Sequence, residues 1–282
     1  MFRLKPIQPQ DALPVISNMY QDIQRVFAID TIPLLFQYLA NYELYLAFIW
    51  EKIKMNVQSD TFQMLCHDIK TFSLKAIAEV DMSRDIPQFI ATLHPVEQQQ
   101  FIQTILRLED INAKFMLLTI DLRESMKSIA ISTERLTQQT AYEQTPVQTF
   151  TRTEMSTQTV QQEMTRANAL LAPLFGENTI VVSHYPEFFA YVADSMEKLK
   201  RTESYLKKRV ELEHLGLLSI TKLPQPLGCS YKEFKRLTEE KPNLDELLYI
   251  LTDAFPSQFP HLVLATAFME HILRKEKAVI IQ

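Results

Sequence analysis

Hydrophobic residues recur every three or four positions along most of this chain, which is the spacing of amphipathic helices. The first stripe runs from Val15 to Phe27 behind Pro14, a residue that favours the first turn of a helix. The next segment, 34–53, is apolar on almost every side and predicts a helix buried at the centre of the fold. Further helices in the first half are predicted at 60–80, 86–93, 95–107 and 110–131.

The helical pattern stops at 137–162, where threonine and glutamine surround Pro146. Few apolar residues and many β-branched threonines do not sustain a helix, so this segment is predicted to be a linker, extended or partly disordered. Helical patterns resume at 162–171, 186–200, 203–218, 231–239, 244–254 and 258–275. The predicted parts are an N-terminal helical repeat at 1–136, the linker at 137–162 and a C-terminal helical repeat at 163–282.

The two helical halves resemble each other in sequence. Tyr42 pairs with Tyr185 in one pair of similar stretches, and Pro95 pairs with Pro256 in another. Duplicated helical units of this kind pack their matching surfaces together. We therefore predict an all-α protein, a pseudo-dimer of two related halves joined by a long linker, with a ligand cleft between the halves.

Composition excludes several classes of function. Three glycines among 282 residues are too few for a phosphate loop or a dinucleotide-binding fingerprint. A net charge of −5 gives no field that attracts nucleic acid, and no apolar run has the length of a membrane span. The two cysteines, Cys66 and Cys229, are far apart, and no cluster of histidines, cysteines and acids has metal-ligand spacing. We expect a cytoplasmic protein with no metal site and with no nucleic-acid or membrane partner.

Two places in the sequence are candidates for chemistry. Asn112 lies inside a strongly apolar helical pattern, where an amide competes with the backbone and needs a hydrogen-bond partner. It is either a helix break or buried structural amide, or a functional group. Ser183, His184 and Tyr185 lie at the start of a helix whose first turn contains a proline. Either Ser183 or His184 can simply cap that helix.

Segment 12–53 carries a more specific pattern: a Y-x-D-I helix, a turn that ends in proline, and a second helix with regularly spaced aromatic residues. This pattern resembles the opening of the group I 2-haloacid dehalogenase family. The matching positions are Tyr20, Asp22, Ile23, Pro33, Phe36, Leu39, Ala40, Tyr42, Leu46 and Trp50. Gln37 and Glu43 depart from the pattern.

The resemblance implies an all-α hydrolase that displaces halide from a 2-haloalkanoic acid by direct attack of water. No covalent ester intermediate, metal or organic cofactor takes part in that reaction. An aspartate acts as the general base, and an asparagine positions the water in an apolar pocket between the halves. Matched residue by residue, the asparagine falls on Asn112, the serine beside the aspartate falls on Ser183, and the aspartate itself falls on His184.

His184 is a departure that bears directly on activity. A histidine can act as a base near neutral pH, but it differs from aspartate in size, reach and charge. Free backbone N–H groups at the helix start can hold a substrate carboxylate, so Ser183 and Tyr185 are expected to bind substrate. The family's pocket-lining positions fall on Ile32, Leu35 and Phe36.

We therefore expect a hydrolase that displaces halide, or a similar group, from a small 2-substituted carboxylic acid, with Asn112 and His184 as the catalytic residues. The alternative is a catalytically inactive relative that binds a small acid or a protein partner. The expected ligand is a small carboxylic acid with no cofactor, and assembly as a homodimer is left open.

Overall fold

The structure is a computed structural model that describes residues 3–80, 89, 91, 93–134 and 185–280. Within this part of the chain every regular element is helical, which confirms the all-α prediction. The helices are α1 (Pro14–Phe27), α2 (Leu34–Leu39), α3 (Glu43–Val57), α4 (Asp60–Val80), α5 (Pro95–Glu134), α6 (Pro186–Leu199), α7 (Glu203–Ile220), α8 (Tyr231–Thr238), α9 (Leu244–Tyr249) and α10 (Phe255–Ile280). The predicted linker at 137–162 and the helix at 162–171 lie outside the described residues, as does most of the predicted helix at 86–93.

The apolar segment 34–53 forms two helices rather than the one that its pattern predicted. Helix α2 ends at Leu39, and α3 begins at Glu43. Between them the Asn41 side chain donates to the carbonyl oxygens of Tyr38, at 3.1 Å, and of Lys5, at 2.8 Å. A side-chain amide that bonds nearby backbone groups competes with helix continuation, which accounts for the break.

Helix α5 joins the two helices predicted at 95–107 and 110–131 into one. It runs unbroken for 40 residues and passes through Asn112, so the amide does not break the helix. Every residue from 111 to 122 is buried. Helix α5 packs against α4, α7 and α10, and this burial on all sides offsets the intrinsic cost of a polar residue within the helix.

The second half ends in a helix with an irregular entry. Helix α9 continues through a single π turn, Ile250–Ala254, directly into α10. Pro256 and Pro260 lie in the first turns of α10 and have no N–H to donate to the preceding carbonyls, which favours an irregular turn there. Helix α10 lies along both α4 and α5, so helices from both halves share one hydrophobic core. An approximate two-fold relation between the halves stays a prediction.

Candidate functional site

Asn112 is buried in the middle of α5 with no side-chain hydrogen bond. Its relative exposure is 0%, and neither its Oδ1 nor its Nδ2 has a partner among the described residues. Asn56 on α3 is equally buried, but it donates to the Gln225 carbonyl at 2.8 Å and accepts from the Gln225 N–H at 2.9 Å. A buried amide without partners costs free energy, and Asn112 differs in this respect from Asn56.

An aromatic cluster lies next to Asn112. The three predicted pocket residues are all fully buried: Ile32, Leu35 and Phe36. The Phe36 ring lies 5.7 Å from the Trp50 ring and 5.8 Å from the Phe115 ring, measured between centroids. Phe115 is one helical turn after Asn112, so the first-half segment reaches the part of α5 that carries the amide. These aromatic rings make the surroundings of Asn112 apolar.

Local hydrogen bonds fix the loop between α1 and α2, which carries Ile32 and leads to Phe36. Helix α1 ends at Phe27, and the next residue, Ala28, has a left-handed φ of 55°. The Ile29 N–H donates to the Gln24 carbonyl at 3.0 Å. Gln37, one of the departures from the family pattern, donates its Nε2 to the Ile32 carbonyl at 2.9 Å. The start of α2 is therefore fixed from both sides, and Phe36 points into the core.

Two further motif residues, Asp22 and Trp50, have a structural role. The indole Nε1 of Trp50 donates to Asp22 Oδ2 at 2.9 Å, and Lys54 Nζ bonds the same oxygen at 2.8 Å. The hydrogen bond from Lys54 is the largest cause that lowers the pKa of Asp22 to about 2, so Asp22 is a carboxylate at neutral pH. The indole N–H is thus occupied, and Trp50 contributes only its apolar ring to the cluster.

Two buried carboxyl groups from different helices meet one helical turn away from Asn112. Glu109 on α5 and Glu270 on α10 are 4% and 7% exposed, and their side chains hydrogen-bond to each other. Burial, followed by this hydrogen bond and the charge of Glu270, raises the pKa of Glu109 to about 8. With its pKa raised to about 8, Glu109 is mostly protonated at neutral pH. Arg274 donates to Glu270 at 2.6 and 2.8 Å and balances its charge.

The sequence pattern does not indicate this pair. The two glutamates are 161 positions apart, and only the packing of α5 on α10 brings them together. A partial signal was present at Glu270, which interrupts the apolar stretch 262–273, because charged residues are rarely buried unless they are paired. Glu109 lies beside Arg107 and Asp110 and gave no such signal.

Tyr185, just before α6, packs against a different part of α5. Its ring packs against Phe101 with a centroid distance of 4.3 Å. Residues 185–188 line a half-open cavity of about 210 Å³ together with Phe89, Leu93 and Phe101. Phe101 precedes Asn112 by eleven residues, which is about 16 Å along a helix axis. The described contacts therefore bring Phe36 near Asn112 and place Tyr185 elsewhere on the helix, while Ser183 and His184 lie outside the described residues.

No group of three or more histidines, cysteines and acids within the described ranges could hold a metal ion. None of the described helices combines the length and the apolarity that a membrane crossing needs.

The fold is similar to that of solved enzymes, although the sequence alone matches no family model and no curated protein. A D-2-haloacid dehalogenase mutant superposes with a TM-score of 0.70 at 14% identity, over 95% of this chain and 96% of that one. A complex of such a mutant with D-2-CPA has a TM-score of 0.69 at 16% identity, with the same coverage. A complex of the enzyme with L-LA has a TM-score of 0.69 at 14% identity, again over 95% of this chain and 96% of that one. The fold of this chain is therefore that of the D-2-haloacid dehalogenases.

Proposed function

We propose that this protein is a hydrolase that removes halide, or a similar leaving group, from a small 2-substituted carboxylic acid by direct attack of water. The single observation that carries the proposal is the fully buried Asn112 amide, which has no partner among the described residues and lies in the fold of the D-2-haloacid dehalogenases. An unpaired buried amide persists at a cost in stability, and such costs concentrate at functional sites.

The residues around Asn112 support this chemistry. An amide can hold a water molecule by one hydrogen bond without competing for the proton that the water must lose. The rings of Phe36 and Phe115 supply an apolar wall of the kind that holds an alkyl halide and excludes other water. In the reaction the water oxygen forms a bond to C2 of the acid and one of its O–H bonds breaks, with the proton passing to a base. The carbon–halogen bond breaks at the same time, and halide leaves with the electron pair.

The partner residues of the second half come from the family resemblance. Ser183 is proposed to help bind the substrate carboxylate, because free N–H groups at the start of a helix attract anions. Tyr185 packs on Phe101, about 16 Å along α5 from Asn112, and is therefore not assigned to this pocket. His184 occupies the position of the family's catalytic aspartate. If His184 is the base, halide release rises with pH through about 6.5, the ordinary value for histidine, and is lost in His184→Ala.

The deciding experiment measures halide release from D- and L-2-chloropropionate. We expect release by the wild type and a loss of about 100-fold or more in Asn112→Ala, because positioning of a reacting water accounts for at least that factor. His67→Ala, which changes an exposed histidine on α4, is the control and keeps the wild-type rate. Absence of release from both enantiomers by the wild type contradicts the proposal.

A second candidate is an inactive relative that binds a small acid. It is favoured by the close packing of Phe36 between Trp50 and Phe115, which fills the apolar wall with side chains. This candidate predicts that 2-chloropropionate raises the melting temperature of the wild type while no halide appears. Asn112→Ala abolishes that stabilisation if the amide contacts the acid.

A further inference from the structure

The Glu109–Glu270 pair has no role in the function proposed above, and its position calls for one. Glu109 contacts Glu270, and six residues later Phe115 stacks on Phe259 with ring centroids 5.6 Å apart. As residue numbers rise along α5 they fall along α10, so the helices run antiparallel. Asn112 lies on α5 between these two contacts, with carboxyl groups on one side and stacked rings on the other.

The pair lies within reach of the Asn112 amide. Residues three apart on a helix have Cβ atoms about 5–6 Å apart and lie on the same side. Oε1 of Glu109, like both amide atoms of Asn112, is buried and has no partner among the described residues. In the substrate complex, one water between the two side chains would bond a carboxylate oxygen and the amide at once.

The ion pairs of the neighbouring cations go to acids other than Glu109. Arg274 on α10 neutralises Glu270 through two hydrogen bonds to one carboxylate oxygen. Lys70 on α4 faces the pair, but its ammonium is bound to Asp110 at 2.9 Å. Lys114 is likewise bound to Asp110, at 2.7 Å.

We propose that this carboxyl pair is the proton acceptor of the dehalogenation, and that Glu109 takes the proton from the water that Asn112 holds. The inference rests on the proposed function. One O–H bond of the water breaks, its proton passes to Oε1 of Glu109, and its oxygen forms the bond to C2 as halide leaves. Glu109 then gives this proton to solvent water, which restores the base for the next turnover; on the solvent side of the pair the Arg274 side chain is 66% exposed. The chain therefore carries a carboxylate base although its sequence has His184 where the family has aspartate.

Glu109 must be ionised to accept a proton, so its raised pKa determines the pH dependence. Burial and the neighbouring Glu270 raise the pKa of Glu109 to about 8, and activity rises as the pH increases through that value. Replacing Glu270 by glutamine removes the like charge, which lowers the pKa of Glu109 and moves the rising limb to lower pH.

The test is the pH dependence of kcat/KM for halide release from 2-chloropropionate. We expect kcat/KM of the wild type to rise with a midpoint near pH 8 and to be about 100-fold or more lower in Glu109→Gln. In Glu270→Gln the midpoint is expected to move down by about one pH unit or more. The control is Asp121→Asn, because Asp121 is a second buried acid of α5 whose pKa burial raises to about 7. This variant keeps the wild-type limb and a rate within about twofold of the wild type.

The other outcomes overturn the inference in different ways. Wild-type rates in Glu109→Gln reject the pair as proton acceptor and leave the proposed function standing. A rise in kcat/KM with a midpoint near pH 6.5 that disappears in His184→Ala assigns the proton to the histidine instead. No halide release by the wild type removes the proposed function and this inference with it. If thermal unfolding shows that Glu109→Gln does not fold, the pH midpoints of kcat/KM in the wild type and in Glu270→Gln test the inference, and equal midpoints reject it.

Discussion

Replacing Asn112 by alanine is expected to make the protein more stable. Removing two unpaired polar ends recovers about 2 kcal/mol, and the better helix propensity of alanine adds about 0.5 kcal/mol. The space left by the amide, on the order of 40 Å³, costs about 1 kcal/mol at about 24 cal/mol per Å³. The net gain is about 1.5 kcal/mol, or a melting temperature roughly 3 °C higher for a chain of this size. Urea unfolding of the ligand-free protein, followed by far-UV circular dichroism, measures it.

Asn56 provides a matched control in the same molecule. It is also a fully buried helical asparagine, but both ends of its amide bond Gln225. Asn56→Ala leaves the Gln225 N–H and carbonyl without these partners and is expected to cost about 2.5 kcal/mol, with the same cavity cost and the same gain in helix propensity included. Asn112→Ala is thus expected to stabilise the protein and Asn56→Ala to destabilise it, with about 4 kcal/mol between the two variants. If Asn112→Ala is destabilised as much as Asn56→Ala, the Asn112 amide is paired in the folded protein.

Two further predictions concern packing and pH. A Cβ at Gly216 on α7 would lie 2.5 Å from Ile120 Cδ1, so Gly216→Ala is expected to cost about 1 kcal/mol after its gain in helix propensity. Gly228→Ala, where a Cβ makes only ordinary contacts, is the control, and equal unfolding midpoints for both variants would show that α7 can move away from α5. Glu109 takes up its proton more readily in the folded state, with a pKa of about 8 against a usual 4.5, so its contribution to stability falls as the pH rises between these values. Urea unfolding at about pH 5.5 and pH 8.5 is expected to show a smaller decrease in Glu109→Gln than in the wild type, and an unchanged decrease would contradict the raised pKa.

The sequence by itself determined the class of the fold. A hydrophobic period near 3.6 is a local property, and prolines such as Pro14 and Pro186 mark helix starts wherever the helix later packs. The likeness of segment 12–53 to the haloacid dehalogenases also pointed to the fold that the superpositions show. The same local signals placed Asn112 inside an apolar helical stretch, where the structure has it.

Tertiary structure decided the rest, because it depends on which faces meet. Local pattern could not tell that Asn41 would bond to Lys5 and end a helix, or that burial of α5 would carry one helix through Asn112. The chemistry of the candidate site has the same origin. A glutamate is an ordinary solvated acid until another helix covers it, and only the packing of α10 on α5 removes water from Glu109 and brings Glu270 against it. The raised pKa of Glu109 is thus a property of two distant segments in contact, since desolvation and like-charge repulsion act through space and not along the chain.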